Sequence, residues 1–296
     1  MGIRRRLTGM LALLGALLPS ILYAQPAPLE PSTPWKVDYA DSECRLLRTF
    51  GSGDRAITLR LARGGNPGRV DVILAGPGIP KLPGTLPLEM RLDPQNLAQS
   101  AKAMSTAIPS GGGHFIRWFD GSFALFDHFG DNQIVQFSSG QTFAARLDVT
   151  SARAALKAFD ACYVDLLVSW GASPEDAVEL AAARTIPSDG NSEVVAQRAD
   201  LPAIKGSPLA WVTPADYPTD ALMKEQSGDV IVMLEVASNG RPTACRIAVS
   251  SKVDSLDQTT CRLLQSRARY AAPLDKTGQP RRSIRFERMR WSVPKD

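Results

Sequence analysis

Few residues of this 296-residue chain could do acid–base or metal chemistry. His114 and His128 are its only histidines, with Asp120, Asp127 and Asp131 in neighbouring turns. A zinc site needs three or four ligands at set spacing. No cysteine or acidic cluster joins these two histidines in that way, so surface or half-buried histidines are the simpler reading. Ser122, Asp127 and His128 contain the residue types of a hydrolytic triad. A hydrolase with its site around Asp120, Asp127 and His128 is therefore carried as the reading from a different class. The chain has no His-Glu-x-x-His, Gly-x-Ser-x-Gly, Walker or dinucleotide-binding signature. Gly111-Gly112-Gly113-His114 opens a strand-like run and not a helix, which makes it a hairpin loop before a phosphate cradle. No catalytic residue, metal site or cofactor is assigned.

The most unusual charge feature is the run Arg281, Arg282, Arg285, Arg288 and Arg290. On a strand, such charges keep a sheet edge from pairing with other edges. The same edge can also be a template for a chosen partner, because added strands bind through backbone hydrogen bonds. A weaker alternative is attraction to anionic lipid or cell-wall polymer. The net charge of +4 includes Arg4, Arg5 and Arg6. These form the basic start of a leader, followed by apolar Leu7–Leu18 and a cleavage-type Leu22-Tyr23-Ala24. A cleaved signal over 1–24 is favoured over an inner-membrane anchor, since Pro19 interrupts a stretch already at the short limit for a span. Without the leader the chain is nearly neutral, which excludes a general nucleic-acid role. Export to an oxidising compartment turns four cysteines into two disulfides, for which three connectivities stand open.

The elements that would position these residues follow from periodicity. Thr219–Gln226 is a short helix. Val230, Val232, Leu234 and Val236 alternate as a half-buried strand. Ser238-Asn239-Gly240-Arg241 is a hairpin turn, and Cys245, Ile247 and Val249 mark the returning strand. Ser255-Leu256-Asp257-Gln258 has the form of a capping box for a helix with Leu256, Leu263, Leu264 and Ala268 on one stripe. Arg281–Val293 is a last strand whose apolar phase slips between Phe286 and Met289, predicting a bulge at Glu287-Arg288.

This stretch resembles the C-terminal domain of TonB, the periplasmic energy transducer of Gram-negative bacteria. The resemblance rests on Tyr217-Pro218, Ala221, Gly228, the Val230–Val236 alternation, Gly240, Ser250-Ser251, Leu256-Asp257, Arg267, Pro273, Gly278 and Trp291. It implies an α+β domain over 214–296 with a three-stranded antiparallel sheet and two helices. It further implies that the last strand, Ile284, Arg285, Phe286, Glu287, Arg288, Met289, Arg290 and Trp291, pairs with the TonB box of an outer-membrane receptor. A periplasmic location, a TonB-dependent receptor or other envelope protein as partner, and a homodimer by strand exchange are also expectations of the resemblance. The alternative is an envelope or cell-wall adaptor without energy transfer. Because the returning strand and the following helix lie close in that fold, Cys245 is paired with Cys261. Cys44 then pairs with Cys162, keeping each bridge within one domain. Two departures stand out. Thr213-Pro214-Ala215-Asp216 lacks the glutamine of the family's receptor-touching segment, and the long Pro-rich stretch is replaced by a spacer over 25–34.

The remainder reads as a β-rich domain of unassigned role over 35–170, then helix and linker over 171–213. Strands are expected at Trp35–Tyr39, Ala56–Leu61, Arg69–Leu74, Leu86–Leu92, His114–Trp118, Ser122–Phe126 and Ile134–Phe137, and a helix over Asn96–Thr106. Thr150 is expected to cap one packed helix carrying Cys162.

Overall fold

Alternating burial along the chain builds nine strands: β1 (Lys36–Ala40), β2 (Glu43–Phe50), β3 (Ile57–Arg63), β4 (Arg69–Gly76), β5 (Thr85–Asp93), β6 (Leu97–Ala107), β7 (His114–Ser122), β8 (Ile134–Ser139) and β9 (Phe143–Asp148). On β5, Leu86, Leu88, Met90 and Leu92 point inward while their neighbours are more accessible, the period-2 pattern of a sheet with one buried face. The computed structural model describes residues 27–109, 111–122, 128–129, 133–183, 204–207, 210–275 and 277–293. The leader expected over 1–24 and most of the expected linker lie outside these residues.

The nine strands form one antiparallel sheet in the order β1-β2-β3-β4-β7-β6-β5-β8-β9. Part of the 25–34 spacer closes it. Leu29 N–H donates to Arg146 O and Asp148 N–H to Leu29 O, while Gly51 N–H donates to Glu30 O and Ser32 N–H to Thr49 O. The spacer thus bonds to β9 on one side and β2 on the other, and the sheet curls into a barrel.

Leu97–Ala107 is strand β6, not the helix its Leu97, Ala101 and Met104 spacing predicts. It is paired along both sides, with β5 and with β7. Its inward Ala103 lies opposite buried Trp118, while Met104 is 54% exposed. Helix propensity differs by tenths of a kcal/mol per residue, so two ladders and the core override it.

Helix α1 (Ala152–Ser169) packs on the barrel, stapled by Cys44–Cys162. Its N-cap is Ser151, without a side-chain cap bond; Thr150 instead donates its N–H to Asp148 Oδ1. Helix α2 (Pro174–Ala182) follows, capped by Ser173, whose Oγ accepts from Asp176 N–H. Fully buried Arg63 ties the two helices to β3: it donates to Asp160 Oδ1 at 2.6 Å and to Ala181 O at 2.8 Å. Its guanidinium lies 3.9 Å from the Tyr163 ring centroid. A buried guanidinium is tolerable only with such partners.

The last eighty residues form helix α3 (Thr219–Met223), strands β10 (Gly228–Val236) and β11 (Pro242–Val249), helix α4 (Asp254–Arg267) and strand β12 (Ser283–Trp291). The sheet order is β11-β10-β12, all antiparallel. Both disulfides form as expected, Cys245–Cys261 joining β11 to α4. At the hairpin tip Gly240 has φ +80°, and a Cβ there would lie 2.1 Å from Tyr270 O. Only glycine fits that approach.

In these last eighty residues the structure differs from the sequence reading in three respects. β10 is buried on both faces. Val230, Val232, Leu234 and Val236 meet α4, whereas Ile231 and Met233 join the core of the barrel and its helices. β12 carries no bulge: its register with β10 is continuous from Gly228↔Trp291 to Val236↔Ser283. The slipped phase has another cause. Ile284 and Phe286 face the barrel core, Met289 and Trp291 the α4 core. The capping box is also absent. Asp257 Oδ1 accepts from Ser251 N–H at 2.9 Å and Ser251 Oγ at 2.7 Å, while Ser255 Oγ is buried with no hydrogen-bond partner.

Candidate functional site

Residues Ile284–Trp291 all lie on β12, an outer strand of its sheet; the register gives it β10 as neighbour on one side. Alternation divides its side chains between two jobs. Phe286 is fully buried, its ring 5.4 Å from that of Trp170 on the α1–α2 junction. Ile284 packs on the same core. On the opposite face Trp291 donates Nε1–H to Thr260 Oγ1 at 2.8 Å and meets the Tyr217 ring edge-on. Met289 packs beside them. Arg285 lies 4.8 Å from the Tyr270 ring centroid and bonds Glu287, which accepts from Tyr270 O–H. Of the eight, only Arg290 is exposed. β12 can therefore offer a partner chiefly its backbone edge.

Each arginine of the run has an acidic partner, although two of them share one. Arg281 pairs with Glu179, Arg282 with Glu235, Arg285 with Glu287, and Arg288 and Arg290 share Asp229. Burial alone would raise the Asp229 carboxyl, but hydrogen bonds from Arg290 and Arg288 outweigh it and hold the group below its ordinary value. One-to-one pairing at Arg281 and Arg282 leaves little free charge there for anionic lipid or polymer. Sequence reasoning missed Asp229, Trp170 and the barrel-facing side of the strand. The unbroken apolar run Val230–Leu234 was the available signal, since continuous runs mark strands buried on both faces.

The segment before Tyr217 is a closed clamp. Asp216 accepts from Thr213 N–H at 2.9 Å, from Thr213 Oγ at 2.7 Å, and from both terminal nitrogens of Arg267 at 2.7 and 2.8 Å. The Arg267 hydrogen bonds first, then Thr213, hold this carboxyl far below the usual carboxylate range. A depressed native pKa stabilises the fold at pH values above the unfolded carboxylate pKa of about 4, and that stabilisation is lost as pH falls through the native value. The unfolding midpoint is therefore expected to drop as pH is lowered below about 4. Asp216→Asn should flatten that part of a thermal-denaturation pH series. Because the pair is exposed, high salt should shrink the difference. An unchanged profile in the variant would remove Asp216 as the cause.

The hydrolase constellation gains no geometry. His128 is exposed, and His114 lies on β7 opposite Gly76 and Ala107. Asp120 is on β7, while Asp127 and Asp131 fall outside the described residues. Gly111–Gly113 is the β6–β7 connection. Among the described residues no three His, Cys, Asp or Glu side chains are grouped to hold a metal ion, and no helix is long and apolar enough to cross a membrane.

Helix–strand–strand–helix–strand order, a three-stranded antiparallel sheet and an outer last strand define a small α+β domain set against a larger barrel. Residues 213–291 match the family model of the Gram-negative bacterial TonB protein C-terminal, and this segment is a TonB C-terminal domain. The match covers about a quarter of the chain and leaves the barrel outside it. No curated protein and no solved structure matches the chain.

Proposed function

We propose that this is a non-catalytic, exported interaction protein that docks a partner by strand addition on the outer edge of β12. A TonB-dependent outer-membrane receptor is the first partner to test. One observation carries the reading: β12 is an outer strand whose side chains are already committed to two cores and to ion pairs. What it has left is a row of backbone donors and acceptors, the feature that strand addition uses. A second reading, an envelope or cell-wall adaptor without energy transfer, is favoured by the spacer. Leu29–Ser32 is bonded into the barrel and is not free to extend.

Calorimetric titration of Gln25–Asp296 with TonB-box peptides tests the first reading. Saturable binding is expected, and N-methylation of alternate peptide amides should abolish it, because each methyl removes an inter-strand donor. Absence of binding by a folded protein would discard receptor docking in favour of the adaptor. Binding indifferent to N-methylation would discard the strand-addition mode.

A further inference from the structure

Where β12 meets the barrel, a cleft of about 260 Å³ opens beside the β3–β4 turn. Its walls carry four guanidinium groups from three strands: Arg69 at the start of β4, Arg117 on β7, and Arg288 and Arg290 on β12. The backbone of Gly64–Asn66 lines the same cleft. A Cβ at Gly65 would lie 3.0 Å from Ile231 and 3.2 Å from Arg288, so glycine there lets the turn approach the sheet closely.

The two β12 arginines of this cleft are not fully compensated. The cleft's two carboxylates are Glu43 and Asp71. Glu43 is neutralised by Arg45 at 2.6 Å and Arg60 at 3.7 Å, neither of which lines the cleft. Asp71 is held by Arg117. Arg288 and Arg290 share a single carboxylate, Asp229, leaving that pair with a surplus positive charge. Arg288 uses only Nη2 on it, and Arg290 only Nε and Nη2. A guanidinium has five N–H donors. Arg288 Nε and Nη1 and Arg290 Nη1 therefore have no protein acceptor among the described residues.

We propose that this cleft binds a small oxyanion, a carboxylate or phosphate group, held between Arg288 and Arg290 of the TonB-type domain and Arg69 and Arg117 of the barrel. Guanidinium forks match the two-oxygen geometry of both groups. Such a ligand would bridge the two parts of the chain and strengthen their junction, and it does not depend on strand docking at β12.

The test is calorimetry on Gln25–Asp296 in chloride buffer at fixed ionic strength, titrated with inorganic phosphate and, separately, with citrate. Saturable binding is expected, with a rise in unfolding temperature because the ligand binds only the folded state. Binding of phosphate alone or citrate alone would support the site and name its source group. Arg290→Gln and Arg69→Gln should each weaken binding about tenfold or more, the effect of losing a charge-assisted hydrogen bond. Arg282→Gln, outside the cleft, should leave it unchanged. No saturation by about 10 mM ligand, or equal affinity in both cleft variants with intact circular dichroism, overturns the proposal.

Discussion

Replacing Phe286 with alanine should lower the unfolding free energy by about 3–5 kcal/mol, the range for deleting a buried aromatic side chain and leaving a cavity. Phe286 is wholly buried on β12, yet it belongs to the core of the barrel and its helices, not to that of α4. Its ring meets Trp170, whose Nε1–H donates to Asp41 O at the β1–β2 turn. The substitution therefore opens the junction between the TonB-type domain and the barrel as well as a cavity. Urea denaturation should show the full loss, and calorimetry should separate one transition into two as the shared core is weakened. Val178→Ala, at a 57% exposed site, should stay within about 0.5 kcal/mol of the parent. A loss for Phe286→Ala near that of the Val178 control would show that the two parts hold together without the strand's barrel-facing side.

The second large effect is expected at Cys44–Cys162. The bridge spans 118 residues of sequence and pins α1 to β2. Cross-linking so long a loop restricts the unfolded chain strongly, and its removal should cost about 4–5 kcal/mol by the loop-entropy relation. Cys245–Cys261 spans 16 residues, for which the same relation gives about 3 kcal/mol. Double alanine variants, Cys44→Ala/Cys162→Ala and Cys245→Ala/Cys261→Ala, compared by urea denaturation without reductant, should keep that order. Reversal of the order would mean that local packing of β11 on α4, and not chain entropy, sets the cost. The first pair should also loosen α1, visible as faster amide exchange along the helix, because Arg63 and Cys44 anchor it to adjacent strands.

Much of the TonB-type domain was legible because its signals are local. Asn239-Gly240 requires a turn, and Leu256, Leu263 and Leu264 share a helical face wherever that helix packs. The α+β class, the element order and both disulfide pairings follow from such signals together with the family resemblance. Most barrel strands were legible for the same reason. β6 was not, because its alanines and serines are compatible with a helix until flanking strands supply two hydrogen-bonded ladders. The helix N-caps are Ser151, one residue after the expected Thr150, and Val253, two residues before the expected Ser255. Neither makes a side-chain cap bond, so tertiary packing and not a side-chain cap sets both ends.

The sequence by itself determined the last strand with its arginines and the residues that face α4. Only the tertiary structure decided what the other face of that sheet does. Ile231, Met233, Ile284 and Phe286 are apolar in either setting, and apolarity does not say which surface will cover it. The barrel covers it, and in doing so brings Arg69 and Arg117 to Arg288 and Arg290 across more than 170 residues of chain. Spacing along a sequence carries no information about an encounter of that kind. It arises from which two surfaces exclude water together.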